Sequence, residues 1–156
     1  MALQLRLWLA EFRHSGLAGL RAEADPDADF VYAQMARHCP EMDLHGLMDT
    51  LQQRARLTRL WRSFLADWPL VLCPVSGELP FADHRDVASE PDFDAVLEAQ
   101  LPLIATPFMG LPGLTVSTGK IGRSPVGVQL IADQFREDLL LAAGEVLAPA
   151  PIAALA

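Results

Sequence analysis

Lysine is nearly missing from this chain. Lys120 stands alone beside eleven scattered arginines, and 20 acidic residues outnumber the 12 basic ones to leave a net charge of −8. Phosphate backbones and anionic lipid surfaces repel such a chain, which argues against nucleic acid and membrane surfaces as partners. The densest basic group, Arg54, Arg56, Arg59 and Arg62, falls on one predicted helix and reads as a solvated face. Cysteine is scarce as well. Cys39 and Cys73 are the two present, and Cys73 sits in an apolar run resembling a buried strand, where structural free thiols usually lie. That usage fits a reducing, cytoplasmic setting. Long apolar runs are also lacking: the longest early one, Leu7 to Ala10, is far too short for a signal-peptide core or a membrane span, so no targeting segment is expected.

What the chain does have is apolar bulk. Its 156 residues are 51% hydrophobic, with three tryptophans and seven phenylalanines, enough to build the core of an ordinary domain. Full burial of each large side chain is worth about 1.5–3 kcal/mol, so folding requires that this surface be covered. If the chain is a piece of a larger domain, part of its apolar surface is expected to face the remainder and stand exposed here.

The N-terminal part, residues 1–68, reads as mainly helical. Leu5, Trp8, Leu9, Phe12 and Leu20 recur at helical spacing from Leu3 to about Arg21, interrupted by Gly16 and Gly19. Asp25-Pro26-Asp27 opens a second helix that Pro40 ends, and Asp43 caps a third running to Trp68. Residues 69–156 read as strand, loop, helix, two strands and a terminal helix. Leu70 to Cys73, between Pro69 and Pro74, suits a strand covered on both faces. Val75 to Pro91 reads as a long loop, with helix resuming around Phe93. Strands are expected at Leu114–Thr118 and Val126–Ile131, separated by a turn over Gly119–Pro125. Acidic Glu137 and Asp138 open a last helix, which Pro149 stops. The implied class is α/β, with helices flanking a sheet.

Four stretches in this order carry a family resemblance: Pro69-Leu70-Val71-Leu72-Cys73-Pro74, then Thr106-Pro107-Phe108-Met109-Gly110-Leu111-Pro112-Gly113, then Pro125-Val126-Gly127-Val128-Gln129-Leu130-Ile131, then Phe135-Arg136-Glu137-Asp138-Leu139-Leu140. Together they resemble the C-terminal portion of the amidase signature family, over about Leu57 to Leu147. The resemblance implies part of a mixed β-sheet flanked by helices, in an enzyme that hydrolyses carboxamides without metal or cofactor. Met109 stands where the family usually has asparagine, and Ser117 where it usually has proline. The family's two serines and catalytic lysine belong to an upstream Gly/Ser-rich core, and no Gly-Gly-Ser-Ser run occurs in this chain. Lys120, in an expected exposed turn, does not match the catalytic lysine. No catalytic residue is therefore expected in this segment, which should be inactive alone. It would contribute strands and one wall of a substrate pocket, with Phe108, Met109 and Leu111 as the wall. Its expected partners are an N-terminal amidase core, in the same or a separate chain, and a small carboxamide. Gly110 and Gly113 are expected to allow close backbone approach beside that pocket, and Gly127 to let a strand pass close to its neighbour.

Other constellations favour plainer readings. Asp83-His84-Arg85-Asp86 reads as a solvated loop, since adjacent loop residues rarely converge on one ion. His38, Cys39 and His45 lack a second cysteine pair, and Pro40 breaks the segment. Gly119-Lys120 is followed by Ile121 where a phosphate loop needs Ser or Thr. Ser76 and Ser117 lack a Gly-x-Ser-x-Gly elbow and read as loop and strand hydroxyls. Leu60, Trp61, Phe64, Leu65 and Trp68 recur at helical spacing and read as core. A non-catalytic binding or assembly module, complementing a separate N-terminal amidase chain, is the alternative reading.

Overall fold

The computed structural model describes residues 2–148, an α/β protein with eight helices and one three-stranded antiparallel sheet among those residues. They form two compact units. One comprises the chain up to Arg56 together with Phe81–Glu98; the other comprises Leu57–Pro80 and the chain from Ala99 on. No helix among the described residues is long and apolar enough to cross a membrane. The terminal Pro149, expected to stop the last helix, lies outside the described residues.

In the first unit, the single helix expected over Leu3–Arg21 is two: α1 (Ala2–Ser15) and α2 (Leu17–Glu23). The break falls at Gly16, whose N–H closes on Phe12 O at 2.7 Å and where a Cβ would meet the Phe12 ring at 2.7 Å. The i, i+4 pair Leu5 and Leu9 is buried with Cys39, and Tyr32, Met35 and Leu97 pack around them. Burial pushes the Cys39 thiol up in pKa, against the opposing pull of Arg6 and Arg13. Helix α3 (Pro26–His38) starts as anticipated: Asp25 Oδ1 accepts from Asp27 N–H at 2.9 Å and Pro26 occupies the first turn. Helix α4 (Leu44–Asp67) is capped by Asp43, whose Oδ1 accepts from Gly46 N–H at 2.8 Å. The expected loop over Val75–Pro91 contains a helical turn, α5 (Arg85–Ala88), and the next helix, α6 (Glu90–Ala99), begins within it. Ser89 explains that start, because its hydroxyl accepts from Asp92 N–H and donates to Asp92 Oδ2 at 2.6 Å.

The second unit holds β1 (Val71–Pro74), α7 (Leu101–Met109), β2 (Gly113–Ile121), β3 (Ser124–Ile131) and α8 (Glu137–Leu147). The strand order is β1-β3-β2, so β3 is paired on both sides. The turn expected over seven residues is a two-residue one, Gly122-Arg123, with φ 61° at the glycine; Lys120 accordingly lies on β2, paired with Pro125, and not in a turn. A register shift between Ser117 and Gly119 marks a bulge in β2. Helix α8 covers one sheet face, where Val116, Leu130, Ala132 and Leu140 are buried together.

Two expectations about burial fail. The β1 strand is not covered on both faces: it lies at the sheet edge, Leu72 is 56% exposed and Cys73 is only partly buried. The physical reason is that α8 lies against β2 and β3. Nor is the α4 aromatic cluster a core: Leu65 is buried, but Leu60, Phe64 and Trp68 are 56%, 49% and 65% exposed. Trp61, which is half-buried, and Phe64 meet edge to face at 6.3 Å within the helix.

Gly127 does let β3 pass close to its neighbour. A Cβ there would stand 2.5 Å from Val116 O, inside any real contact distance. Replacing Gly127 by alanine is expected to destabilise the chain by about 1–3 kcal/mol, read as a lowered midpoint in urea unfolding with an unchanged slope.

Candidate functional site

The first three stretches that carry the resemblance converge on one sheet. Val71 on β1, Ile131 on β3 and Gly113 on β2 share one register row, and Cys73, Gln129 and Thr115 share another. The fourth stretch leads into α8, where Asp138 is held low in pKa by hydrogen bonds from Arg136 and the Leu139 N–H.

Between β1 and β2 in the chain, α7 ends in a tight, defined stop. Gly110 takes φ 66° and ψ 32°, its N–H closes on Pro107 O at 3.2 Å, and the Leu111 N–H reaches back to Thr106 O at 3.1 Å. This pair of bonds is the Schellman arrangement, which needs a residue at ease in the left-handed region. The structural reason for Gly110 is thus helix termination. The three expected wall residues sit on that stop. Phe108 and Met109 occupy the last turn of α7, Leu111 is pinned by its backbone bond, and all three are buried. Thr58 on α4 donates to Met109 O at 3.3 Å, holding the segment against the helix.

Gln129 is the residue whose role sequence reasoning did not single out, although it lies inside a quoted stretch. It is 2% exposed, and its Oε1 has no hydrogen-bond partner. Gly113 leaves the room it occupies: a Cβ on that glycine would lie 3.3 Å from Gln129 Nε2. A buried polar carbonyl without a donor costs about 1–3 kcal/mol. A glutamine in a strand otherwise rich in valine and isoleucine was the available signal.

The remaining candidates separate. Ser76 donates to Ala99 O and accepts from Glu78 N–H, a loop hydroxyl, and Ser117 lies at the β2 bulge. Among the described residues, no three of His, Cys, Asp and Glu come together as a metal site. His38 instead joins a polar node in the first unit. Asp94 Oδ1 accepts from Arg37 Nη2 at 2.6 Å and from His38 Nε2 at 2.7 Å, while Arg37 Nε donates to Gln34 Oε1. These bonds, Arg37 first and His38 next, hold the Asp94 carboxyl below the usual carboxylate range. His84 stands 3.7 Å from Asp27, and Arg85 donates to Asp92 at 3.4 Å. Asp86 and His84 line a cavity of about 740 Å³ with residues of α1 and α3.

No family model matches the chain. Two curated relatives are both named indoleacetamide hydrolase. One, from Bradyrhizobium japonicum, is 28% identical over 131 residues, which is 83% of this chain and 28% of that protein. The other, from Bradyrhizobium diazoefficiens, is 32% identical over 107 residues, 68% of this chain and 20% of that protein. The chain thus spans about a quarter of the length of the relatives it matches. Among solved structures, an allophanate hydrolase variant from Kluyveromyces lactis superposes with TM-score 0.67 at 20% identity, over 92% of this chain and 24% of that one. A 6-aminohexanoate cyclic dimer hydrolase superposes with TM-score 0.57 at 19% identity, over 76% of this chain and 27% of that one. The structural matches show a shared fold, and the matches together support a relationship to amidase-signature hydrolases.

The Asp94 node yields a pH test. A carboxyl whose pKa is depressed on folding stabilises the fold above its unfolded value, about 3.9, and that contribution is lost as pH falls through the folded value. Asp94→Asn is therefore expected to lower the melting temperature modestly at neutral pH, since the group is solvent-screened. The gap between variant and parent should close below about pH 4. Thermal unfolding followed by circular dichroism across that range checks it.

Proposed function

We propose that this chain is the C-terminal segment of an amidase-signature enzyme that hydrolyses the carbon–nitrogen bond of a small carboxamide, releasing ammonia and a carboxylate. The observation that carries the reading is a sheet on which the first three quoted stretches converge and which keeps an open edge at β1. β1 is an edge strand, Leu72 on it is exposed, and so are Leu60 and Phe64 on α4 and Trp68 just after that helix. An edge strand offers unpaired N–H and C=O groups to a further strand, and an apolar stripe of this kind favours a covering partner. The curated relatives, several times longer than the shared segment, act on an amide by name.

In this reading the nucleophilic serine, bridging serine and lysine lie outside these residues. A neutral lysine accepts a proton through one serine and so sharpens the other as nucleophile, while backbone N–H groups hold the oxyanion. The present segment completes the sheet, and the buried Phe108–Leu111 stop of α7 backs one wall of the substrate pocket. Its two free cysteines suit a reducing cytoplasm. The exposed apolar faces also favour a second reading, a non-catalytic assembly module that complements a separately encoded amidase core.

Co-expression with an amidase-core segment, followed by pull-down and an ammonia-release assay on a panel of simple carboxamides, tests both. The chain alone should release no ammonia above a mock preparation, and the complex should be active. Hydrolysis by the purified chain alone overturns the proposal. A core that binds this chain but is equally active without it favours the assembly module.

A further inference from the structure

The first unit contains a cavity that the amidase reading leaves unused, and its chemistry is one-sided. Trp8 and Phe12, an i, i+4 pair on α1, face Val31 and Met35, an i, i+4 pair on α3, with Leu9 and Val87 completing the apolar wall. The volume of about 740 Å³ falls in the range of small-molecule sites, which are typically apolar with a few convergent polar groups. Phe12 and Tyr32 meet at 5.7 Å with tilted rings, so two aromatic faces share one side. The Tyr32 hydroxyl already accepts from Arg13 Nε at 3.2 Å.

The carboxylates that line the cavity are those of Glu11, Asp27 and Asp86, with the His84 imidazole beside them; no lysine or arginine lines it. His84 is itself 3.7 Å from Asp27 and 3.8 Å from Asp83. Three carboxylates beside aromatic rings favour a positive head group, through ion pairing and through attraction of a cation to the ring faces. They disfavour an anionic one equally. We infer that this cavity is a binding site for a small amphipathic cation, an amine carried on an aromatic or alkyl body. The body would lie against Trp8, Phe12, Val31 and Met35, and the ammonium among Glu11, Asp27 and Asp86. The inference uses residues of the first unit only and does not rest on the amidase reading.

Trp8 provides the readout. In the full chain carrying Trp61→Phe and Trp68→Phe, Trp8 is the sole tryptophan. Titration at neutral pH with 4-phenylbutylamine, 4-phenylbutan-1-ol and 4-phenylbutyrate compares one body with three head groups. The amine should give a saturable change in Trp8 fluorescence, the alcohol should bind about fivefold more weakly or worse, and the acid should not bind. Asp27→Asn combined with Asp86→Asn should bring the amine close to the alcohol without changing alcohol binding. Equal binding of amine and alcohol by the parent chain overturns the proposal, as does no saturable response at millimolar amine. Self-association detected by light scattering that excludes the amine also overturns it, because the groove would then be a contact between copies.

Discussion

Everything in the second unit is arranged around the approach of β3 to β2 at Gly127, where the Val116 carbonyl occupies the space a side chain would fill. Because β3 is hydrogen-bonded on both sides, its register decides which residues of β1 and β2 stand in one row, and a slip of one position would turn every side chain to the opposite face. The helix laid over this pair packs closely as well. A Cβ at Gly144 of α8 would come within 2.6 Å of Leu114 Cδ2, the end of a flexible side chain that can shift, so the contact is softer than the backbone one at Gly127. Leu130, Val116 and Leu140 are buried together between this helix and the sheet.

That arrangement also explains what is left bare. With α8 committed to β2 and β3, the edge strand β1 keeps one open side, and the C-terminal half of α4 keeps an apolar stripe in water. A chain that buries Ile131 and Ala132 almost completely while leaving Trp68 and Leu72 exposed does not lack the means to form a core. Large apolar side chains stand exposed elsewhere too, Phe135 and Val146 most of all, so the bare surface extends beyond β1 and the end of α4. The relatives are about four to five times the matched length, and the proposed function assigns the covering of this surface to the part of such a protein outside the matched segment.

The first unit works differently. Distant parts of its chain are tied by polar contacts, with Asp94 accepting from adjacent residues of α3 and Arg13 of α1 donating to the Tyr32 hydroxyl and the Cys39 carbonyl. Other side chains of α3, among them Val31 and Met35, line an open cavity whose carboxylates come from α1, α3 and α5.

Much of the local structure was legible from residues alone, because its causes are local. Asp25 and Asp43 cap the helices that follow them, the apolar run after Pro69 is a strand, and Gly127 marks a close backbone approach. The break at Gly16 and the short turn at Gly122-Arg123 were less clear, since a glycine signals permission for several conformations and its neighbours choose one. Helical spacing in Leu60, Phe64 and Trp68 established an apolar stripe but not whether anything covers it, because periodicity describes one element and burial needs two. The position of Phe108, Met109 and Leu111 on a helix stop, the solitary carbonyl of Gln129, the joining of Asp94 to Arg37 and His38, and the meeting of Trp8, Val31 and Val87 around one cavity all depend on segments far apart in the chain. The sequence determined helices, strands and their ends through short-range sterics and hydrogen bonds; tertiary structure alone decided which faces met, which stayed open and which charges came to share one cavity.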